Sequence, residues 1–406
     1  MRILFFCPQQ IWPVNSGSRL RNAHLATTLA KRCSVTVLQI LQPSDDWKEP
    51  SESSLFEELL VVRKKQSYTP GMVLKGLIGP APVTVLNYQS PDIAALLERT
   101  LASRRFDAVQ METSNLVGYL DIIRRAPGRP SLIVDWHNID SELMARFAAE
   151  TKNVGKKLVA RRTSTLLEGV EAQLAREAEG HAVCSERDGQ ALLAHNPRAK
   201  ISVVPNGVDA SAFTPVAPNP QNNSLLFVGS MDYHANVDAV LWFVRNVWPE
   251  VAERFPSLRF TIAGRRPGRE IQALASDRIH VTGTVDDIRP YYAAASAVIV
   301  PVRVGNGTRL KILEAMAMGV PVISTTLGAE GIAASNGKQI VLADSEHAIT
   351  DAVSKILADP EYAGHIAQAG RELVVQSYDW SLVGEKLYNL HAEVAGARTP
   401  LQTAPP

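Results

Sequence analysis

The chain has 406 residues, 20% of them charged and 46% hydrophobic, with a formal net charge of +1. That length suits two or three domains rather than one core. The balanced charge excludes binding of nucleic acid by overall charge, so no nucleic-acid partner is expected. Cys7, Cys33 and Cys184 are far apart and form no C-x-x-C pair. This argues against a disulfide framework or a zinc site and suits a reducing compartment. No apolar run reaches the roughly 18–20 residues of a membrane span. The opening "MRILFFCPQ" is too short for a signal core and reads as a buried first strand, which makes a cytoplasmic placement the expectation.

Short β-rich runs alternate with helical patterns along the chain. In order, the predicted strands are "RILFFC", "SVTVLQI", "ELLVVR", "DAVQME", "SLIVDWH", "HAVCS" and "ISVVPNG", then "SLLFVGS", "RFTIAG", "IHVTG", "AVIVPV" and "PVISTT". They are continuously apolar rather than alternating, as in parallel strands buried on both faces. Helical segments such as "SRLRNAHLATTLAKR" and "NVDAVLWFVRNVWPEVAERF" lie between most of them, so the fold class is α/β with doubly wound sheets. There are too many strands for one sheet. The Pro- and Asn-rich stretch 214–224 breaks the pattern, and two Rossmann-like domains follow, residues 1–213 and 214–377. A helix is expected over 378–395, and the tail 396–406 has the composition of disorder.

Ligands of open α/β sheets bind beyond the carboxyl ends of the strands, so the residues there carry the functional reading. The first strand leads into Asn15, Ser16, Gly17 and Ser18, with a helix starting near Ser18 or Arg19. The loop is either an ordinary β-to-α turn or one whose N–H groups meet an anion or sugar. Glu112, Thr113 and Ser114 end one strand, and Asp135, His137, Asn138 and Asp140 end another. His137 is either a satisfied structural residue or a group that bonds a substrate hydroxyl or exchanges a proton. Ser185, with Glu186 and Asp188, reads as a helix cap.

In the second half Gly229 and Ser230 follow a strand, and Asn236 reads as a helix cap. Gly264, Arg265 and Arg266 follow another, suited to a phosphate or to a solvated loop. "VGNGTRLKILEAMAMGVPVI" follows "AVIVPV". Gly305 and Gly307 permit a tight loop, Thr308 is placed to cap a helix starting near Arg309 or Leu310, and Arg309 and Lys311 suit a diphosphate. Glu314, one turn on, is placed to accept two hydroxyl hydrogens of a ribose; the alternative is a surface glutamate.

Together these stretches resemble the retaining glycosyltransferases of family 4, above all "GNGTRLKILEAMAMGVPVISTTLGAEGI", with "NSGSRLRNAHLATTLA", "CSERDGQALL", "VVPNGVDASAFTP", "LLFVGSMDYHANVDAV" and the C-terminal "SYDWSLVGEKLYNLH". "GTRLK" and "GSMDY" are similar to a subgroup associated with exopolysaccharide assembly. The resemblance implies the GT-B fold, two facing Rossmann-like domains with a C-terminal crossover helix. It implies a metal-independent hexosyltransferase with no cofactor, using a nucleotide-diphosphate sugar as co-substrate. By that resemblance the N-terminal domain takes the acceptor and the C-terminal domain the nucleotide sugar. Glu314 matches the second Glu of the family's E-x7-E motif and would bind the ribose. Thr308, Arg309 and backbone N–H groups near Leu310 would contact the diphosphate. The Ser16–Gly17–Ser18 loop would approach diphosphate and sugar, and His137 looks like the family's cleft histidine.

Asn306 stands where the family has the first Glu of E-x7-E. The family's Arg-Lys pair after the first strand of the second domain is also absent, and Arg265, Arg309 and Lys311 are the inferred replacements. Transfer with retention would rest on stabilising the leaving diphosphate and positioning the acceptor. The alternative is a non-catalytic or epimerase-like GT-B nucleotide-sugar-binding protein. Arg63, Lys64 and Lys65 precede Met72, Val73, Leu74, Leu77 and Ile78, and Lys152, Lys156, Lys157, Arg161 and Arg162 form a second basic run. Either these are core apolar residues with solvated lysines, or they suit an anionic membrane surface. In the latter case the acceptor is a glycan or lipid-linked, met peripherally at the inner face of the plasma membrane.

Overall fold

A computed structural model describes residues 1–215, 223–305 and 310–396. The chain divides into two compact units, one of Met1–Pro205 with the described chain from Val383, the other Asn206–Leu382. The Pro- and Asn-rich stretch that suggests a break at Thr214 lies largely outside the described residues, as does the expected tail.

The first unit holds β1 (Arg2–Cys7), β2 (Ser34–Leu41), β3 (Glu58–Arg63), β4 (Ala108–Met111), β5 (Ser131–Trp136), β6 (Gly180–Val183) and β7 (Ile201–Val203). They form one parallel sheet in the order β3-β2-β1-β4-β5-β6-β7. Consecutive residues of β1 and β5 are buried alike, because helices cover both faces. Leu4, Phe6, Val109, Met111, Val134 and Trp136 form the centre of one core layer.

The helix Trp380–Gly396 enters this unit at Val383. It lies close to the helix Gly17–Ala30: a Cβ on Gly384 would stand 2.2 Å from Thr28 Cγ2, so only glycine fits there. Leu390 and Val394 of the same helix press on Gly180 of β6.

The second unit holds β8 (Ser224–Val228), β9 (Arg259–Ala263), β10 (Ile279–Gly283), β11 (Ala297–Val300), β12 (Val322–Ser324) and β13 (Val341–Leu342). The order is β10-β9-β8-β11-β12-β13, again parallel. Phe227, Phe260, Ile262, Val298, Ile312 and Met316 are buried in its core.

The helical run expected over "NVDAVLWFVRNVWPEVAERF" is two helices, His234–Asn246 and Trp248–Arg254. Pro249 lies in the first turn of the second, where its missing N–H is no loss. The helix expected to begin at Ser18 or Arg19 begins at Gly17, with Ser16 as its cap accepting from the Arg19 N–H.

Each sheet reverses direction once, between β1 and β4 and between β8 and β11. Chains leaving the carboxyl ends of those paired strands diverge to opposite sides and leave a crevice at each point.

Candidate active site

In the first unit the crevice is lined from β1, β4 and β5. Arg21, on the helix after β1, is fully buried and meets Asp135 of β5 with both arms of its guanidinium, Nε to Oδ2 at 3.0 Å and Nη2 to Oδ1 at 2.8 Å. Its Nη1 donates to the Pro205 carbonyl at 3.1 Å. This bidentate pair ties the first helical turn, and with it the Ser16–Ser18 loop, to the middle of the sheet.

Glu112 follows β4 and is also buried. Its Oε2 lies 3.3 Å from His137 Nε2, and its Oε1 accepts from Gln110 Nε2 at 2.6 Å. The Asn22 amide satisfies its surroundings with its nitrogen turned toward Glu112 Oε2 (2.9 Å), His137 Nε2 (3.1 Å) and the Ser18 carbonyl (3.2 Å). Gln110 Oε1 is 2.5 Å from Nε2 of the buried His391, on the C-terminal helix. A polar chain thus runs His391–Gln110–Glu112–His137. The His137 side chain keeps 19% of its exposure and Glu112 none, so the ring is the open end of that chain. Burial and the nearby Asp135 carboxylate push the Glu112 carboxyl above its ordinary range, against the hydrogen bonds from His137 and Gln110. Burial drives His391 down to about 3, so that its imidazole is neutral at physiological pH.

Glu112, Asp135 and His137 offer donor atoms within 4.8 Å of one another, a spacing a metal ion would need. Both Asp135 oxygens are already engaged by Arg21. The trio is therefore built as an ion pair joined to a hydrogen-bond chain.

In the second unit the site gathers around the turn after β8. A Cβ on Gly229 would lie 2.8 Å from Lys311 Nζ, and one on Gly264 would lie 1.8 Å from the Gly229 carbonyl. Two glycines thus let three chain segments meet. Lys311 Nζ donates to Asn236 Oδ1 at 2.9 Å and stands 4.1 Å from the centre of the Phe227 ring. Asn236 Nδ2 in turn donates to the Ser230 carbonyl at 2.9 Å. Asn236 is therefore a brace between the loop and Lys311 and not the cap its position suggests; the helix already begins at His234. Arg265 Nε donates to Ser230 Oγ at 2.7 Å, and Ser230 Oγ to Asp232 Oδ1 at 2.5 Å.

The helix Leu310–Ala317 is buried at every position except Leu310 and Glu314, which are one turn apart and share its accessible side. Tyr292, fully buried, donates its hydroxyl to Glu314 Oε2 at 2.7 Å and also lies 3.3 Å from the Lys311 carbonyl. Burial raises the Glu314 carboxyl above its ordinary range, while the Tyr292 hydrogen bond and the Lys311 charge pull it back. Asn306, Gly307, Thr308 and Arg309 lie outside the described residues, and the readings placed on them stay with the sequence.

Of the candidate residues, Ser16, Gly17, Ser18 and His137 adjoin the first crevice. Gly229, Ser230, Arg265, Leu310, Lys311 and Glu314 adjoin the second. Arg21, Gln110, His391 and Tyr292 carry much of the geometry and are not among the candidates; Arg21, Gln110 and His391 lie inside quoted stretches without being singled out there, and Tyr292 lies in none. Arg21 and Asp135 are 114 residues apart, and Gln110 and His391 are 281 apart. An acidic and a basic residue buried in otherwise apolar segments was the only available signal.

Two parallel sheets of this order, with a C-terminal helix returning to the first, define the GT-B class of fold. Residues 16–207 match the family model described as "Glycosyl transferase 4-like domain", and residues 222–359 the model described as "Glycosyl transferases group 1". The chain belongs to the family 4, group 1 glycosyltransferases.

Its relatives include a 44.6 kDa protein of the cps region of Klebsiella pneumoniae, 29% identical, over 31% of this chain and 34% of that protein. Another is phosphatidyl-myo-inositol mannosyltransferase of Mycobacterium leprae, 28% identical, over 50% of this chain and 56% of that one. The matches thus span from a third to about half of these relatives' own lengths. Similar folds include a sucrose-phosphate synthase of Thermosynechococcus elongatus, TM-score 0.73 at 18% identity, covering 98% of this chain and 100% of that one. Anabaena HepE in complex with UDP-glucose gives a TM-score of 0.67 at 15% identity, over 97% and 100%.

Proposed function

We propose that this protein is a retaining glycosyltransferase. It moves a sugar from a nucleoside-diphosphate sugar to a glycan or lipid-linked acceptor, in the assembly of an exopolysaccharide or other cell-surface polysaccharide. The observation that carries the donor half is Glu314. It is the one charged side chain on the accessible side of an otherwise buried helix, held by Tyr292 and lying one turn beyond Lys311 at the crevice of the second sheet.

In this reading Glu314 accepts both ribose hydroxyls. The Gly229–Ser230 turn lets the backbone approach the diphosphate, and Arg265 and Lys311 supply positive potential around it. Asn306, Gly307, Thr308, Arg309 and Leu310 complete the diphosphate and sugar contacts. In the first unit the Ser16–Ser18 loop and His137 meet the transferred sugar, and the acceptor attacks from the face the diphosphate leaves. The leaving diphosphate takes the acceptor proton. The protein's part is stabilising the separating charge and holding the two reactants in line. The lipid-linked acceptor is supported by the mycobacterial relative, a phosphatidyl-myo-inositol mannosyltransferase, and the cell-surface setting by the cps-region relative.

The test is to incubate the protein with UDP-, GDP-, ADP- and dTDP-sugars and follow release of nucleoside diphosphate, with NMR of the anomeric proton in the product. Release from one donor with the donor's anomeric configuration kept supports the reading. Inversion removes the retaining assignment. Nucleotide binding without release from any donor, with or without acceptor, favours the non-catalytic GT-B alternative that Asn306 motivates.

A further inference from the structure

Two stretches of the first unit break the chain's even charge balance. From Leu59 to Pro91 there are four basic residues and no acidic one, and from Thr151 to Leu167 five basic and none acidic. The structure sorts the roles within them. Lys64 is buried, its ammonium on the Asn87 carbonyl and the Tyr88 ring. Lys65 pairs with Asp92, and Arg63 donates to the carbonyls of Gln42, Pro43 and Asp45. Arg162 bridges to the Gly79 carbonyl at 3.2 Å. Those four basic residues serve the fold. Lys75, Lys152, Lys156 and Arg161 are exposed, and no carboxylate among the described residues pairs with them.

The apolar residues beside them are not in the core. Leu74 and Ile78 of the helix Pro70–Ile78 are 58% and 77% exposed, and Val154 and Leu158 of the helix Val154–Glu177 are 81% and 62% exposed. Each pair is four residues apart and so shares one side of its helix. Ala160, Thr163, Ser164 and Leu167 face inward on the second helix, while Val154, Leu158 and Arg161 form its outward stripe. The two helices pack together, joined by Arg162 and Gly79.

Exposed branched apolar side chains in such a cluster mark an interaction surface, and the unpaired cations around them select its partner. We infer that the first turns of the helix Val154–Glu177 and the helix Pro70–Ile78 form a docking face for an anionic lipid bilayer. Leu74, Ile78, Val154 and Leu158 enter the acyl boundary, and Lys75, Lys152, Lys156 and Arg161 meet the headgroups. No described helix is long and apolar enough to cross a membrane, so the contact is interfacial. This deepens the lipid-acceptor half of the proposed function and is independent of its donor half.

The full chain is floated with vesicles of phosphatidylcholine alone and of phosphatidylcholine with an equal part of phosphatidylglycerol, at low and high salt. Binding is expected only to the anionic vesicles and is expected to weaken with salt. Val154→Ser with Leu158→Ser, and separately Lys152→Glu with Lys156→Glu, should each weaken it roughly tenfold or more. Nucleotide-induced thermal stabilisation, read in parallel, should not change in either variant. The inference is overturned if the wild type stays unbound, or if both variants bind as well as it does. It is also overturned if sedimentation shows a dimer that Val154→Ser with Leu158→Ser dissociates while vesicles are ignored, which would assign the face to a second copy. Loss of nucleotide response with vesicle binding intact would count against the donor reading alone.

Discussion

The two crevices are built by opposite means. In the second unit Lys311 and Glu314 stand on one helix, and the other candidate groups come from the turns packed around it. Asn236, itself bonded to the Ser230 carbonyl of the turn after β8, holds Lys311, and Tyr292 holds Glu314. In the first unit the polar groups come from β1's helix, β4, β5 and the C-terminal helix, and nearly all are buried and spent on one another. The contrast separates two tasks. In the proposed function one site presents groups to a ligand. The other holds a single partly exposed ring, His137, against a sealed polar chain.

If that contrast is right, the first unit should be the more costly to disturb. Arg21→Met leaves the Asp135 carboxylate buried without its bidentate partner and is expected to lower stability by about 3–5 kcal/mol. Chemical denaturation measures this. A second change, Asp135→Leu in the same chain, should recover part of the loss, because the stranded charge is then gone. No loss in the single variant would show that the pair does not organise the crevice.

A second, smaller effect lies beside that network. Glu171 is buried, and its two oxygens accept from the backbone N–H and the hydroxyl of Ser141, at 2.8 and 2.5 Å. Burial raises its carboxyl from the ordinary 4.5 to about 7. A carboxyl raised on folding stabilises the native state below its unfolded value, and that contribution is lost as pH rises through the folded one. Wild-type stability should therefore fall by up to about 3 kcal/mol between pH 4.5 and 7 relative to Glu171→Gln. Parallel pH dependences of the two proteins would contradict the assignment.

The smallest effect is expected in the second unit. Tyr292→Phe removes one hydrogen bond to Glu314 and no packing volume of note, so the fold should stand. Nucleotide affinity is expected to weaken by roughly tenfold, the worth of a hydrogen bond to a charged acceptor. The Tyr292 hydrogen bond holds the Glu314 carboxyl down, so its loss lets that carboxyl rise further. Affinity measured by calorimetry across pH should then begin to fall, on the acid side, at a higher pH than in the wild type.

Much of this was legible in the sequence, for reasons the structure makes plain. Most of the described strands are short runs rich in apolar residues and closed by Gly, Pro or polar residues; β13 escaped, being two residues long and too short for any pattern to register. Glu314 was legible because a carboxylate inside "KILEAMAM" has no packing use. Its anchor was not, since Tyr292 lies 22 residues upstream in a segment that reads as ordinary core. Asn236 looked like a cap because polar residues before an apolar helix usually are; its part in holding Lys311 depends on a partner 75 residues away. In the same way, the basic run at 152–162 could be read for charge but not sorted. Only the packing shows that Arg162 ties two helices while its neighbours face outward.

The central claim is that the helix Leu310–Ala317 presents Glu314 to the ribose of a nucleotide. Thermal unfolding of the wild type and of Glu314→Ala with rising UDP, GDP, ADP and dTDP tests it most directly, because stabilisation grows with the logarithm of ligand concentration over its dissociation constant. At least one nucleotide is expected to raise the wild-type Tm in that manner, and Glu314→Ala, folded equally well, to lose most of the response. A wild type indifferent to every nucleotide, or a Glu314→Ala variant that responds as the wild type does, would contradict it.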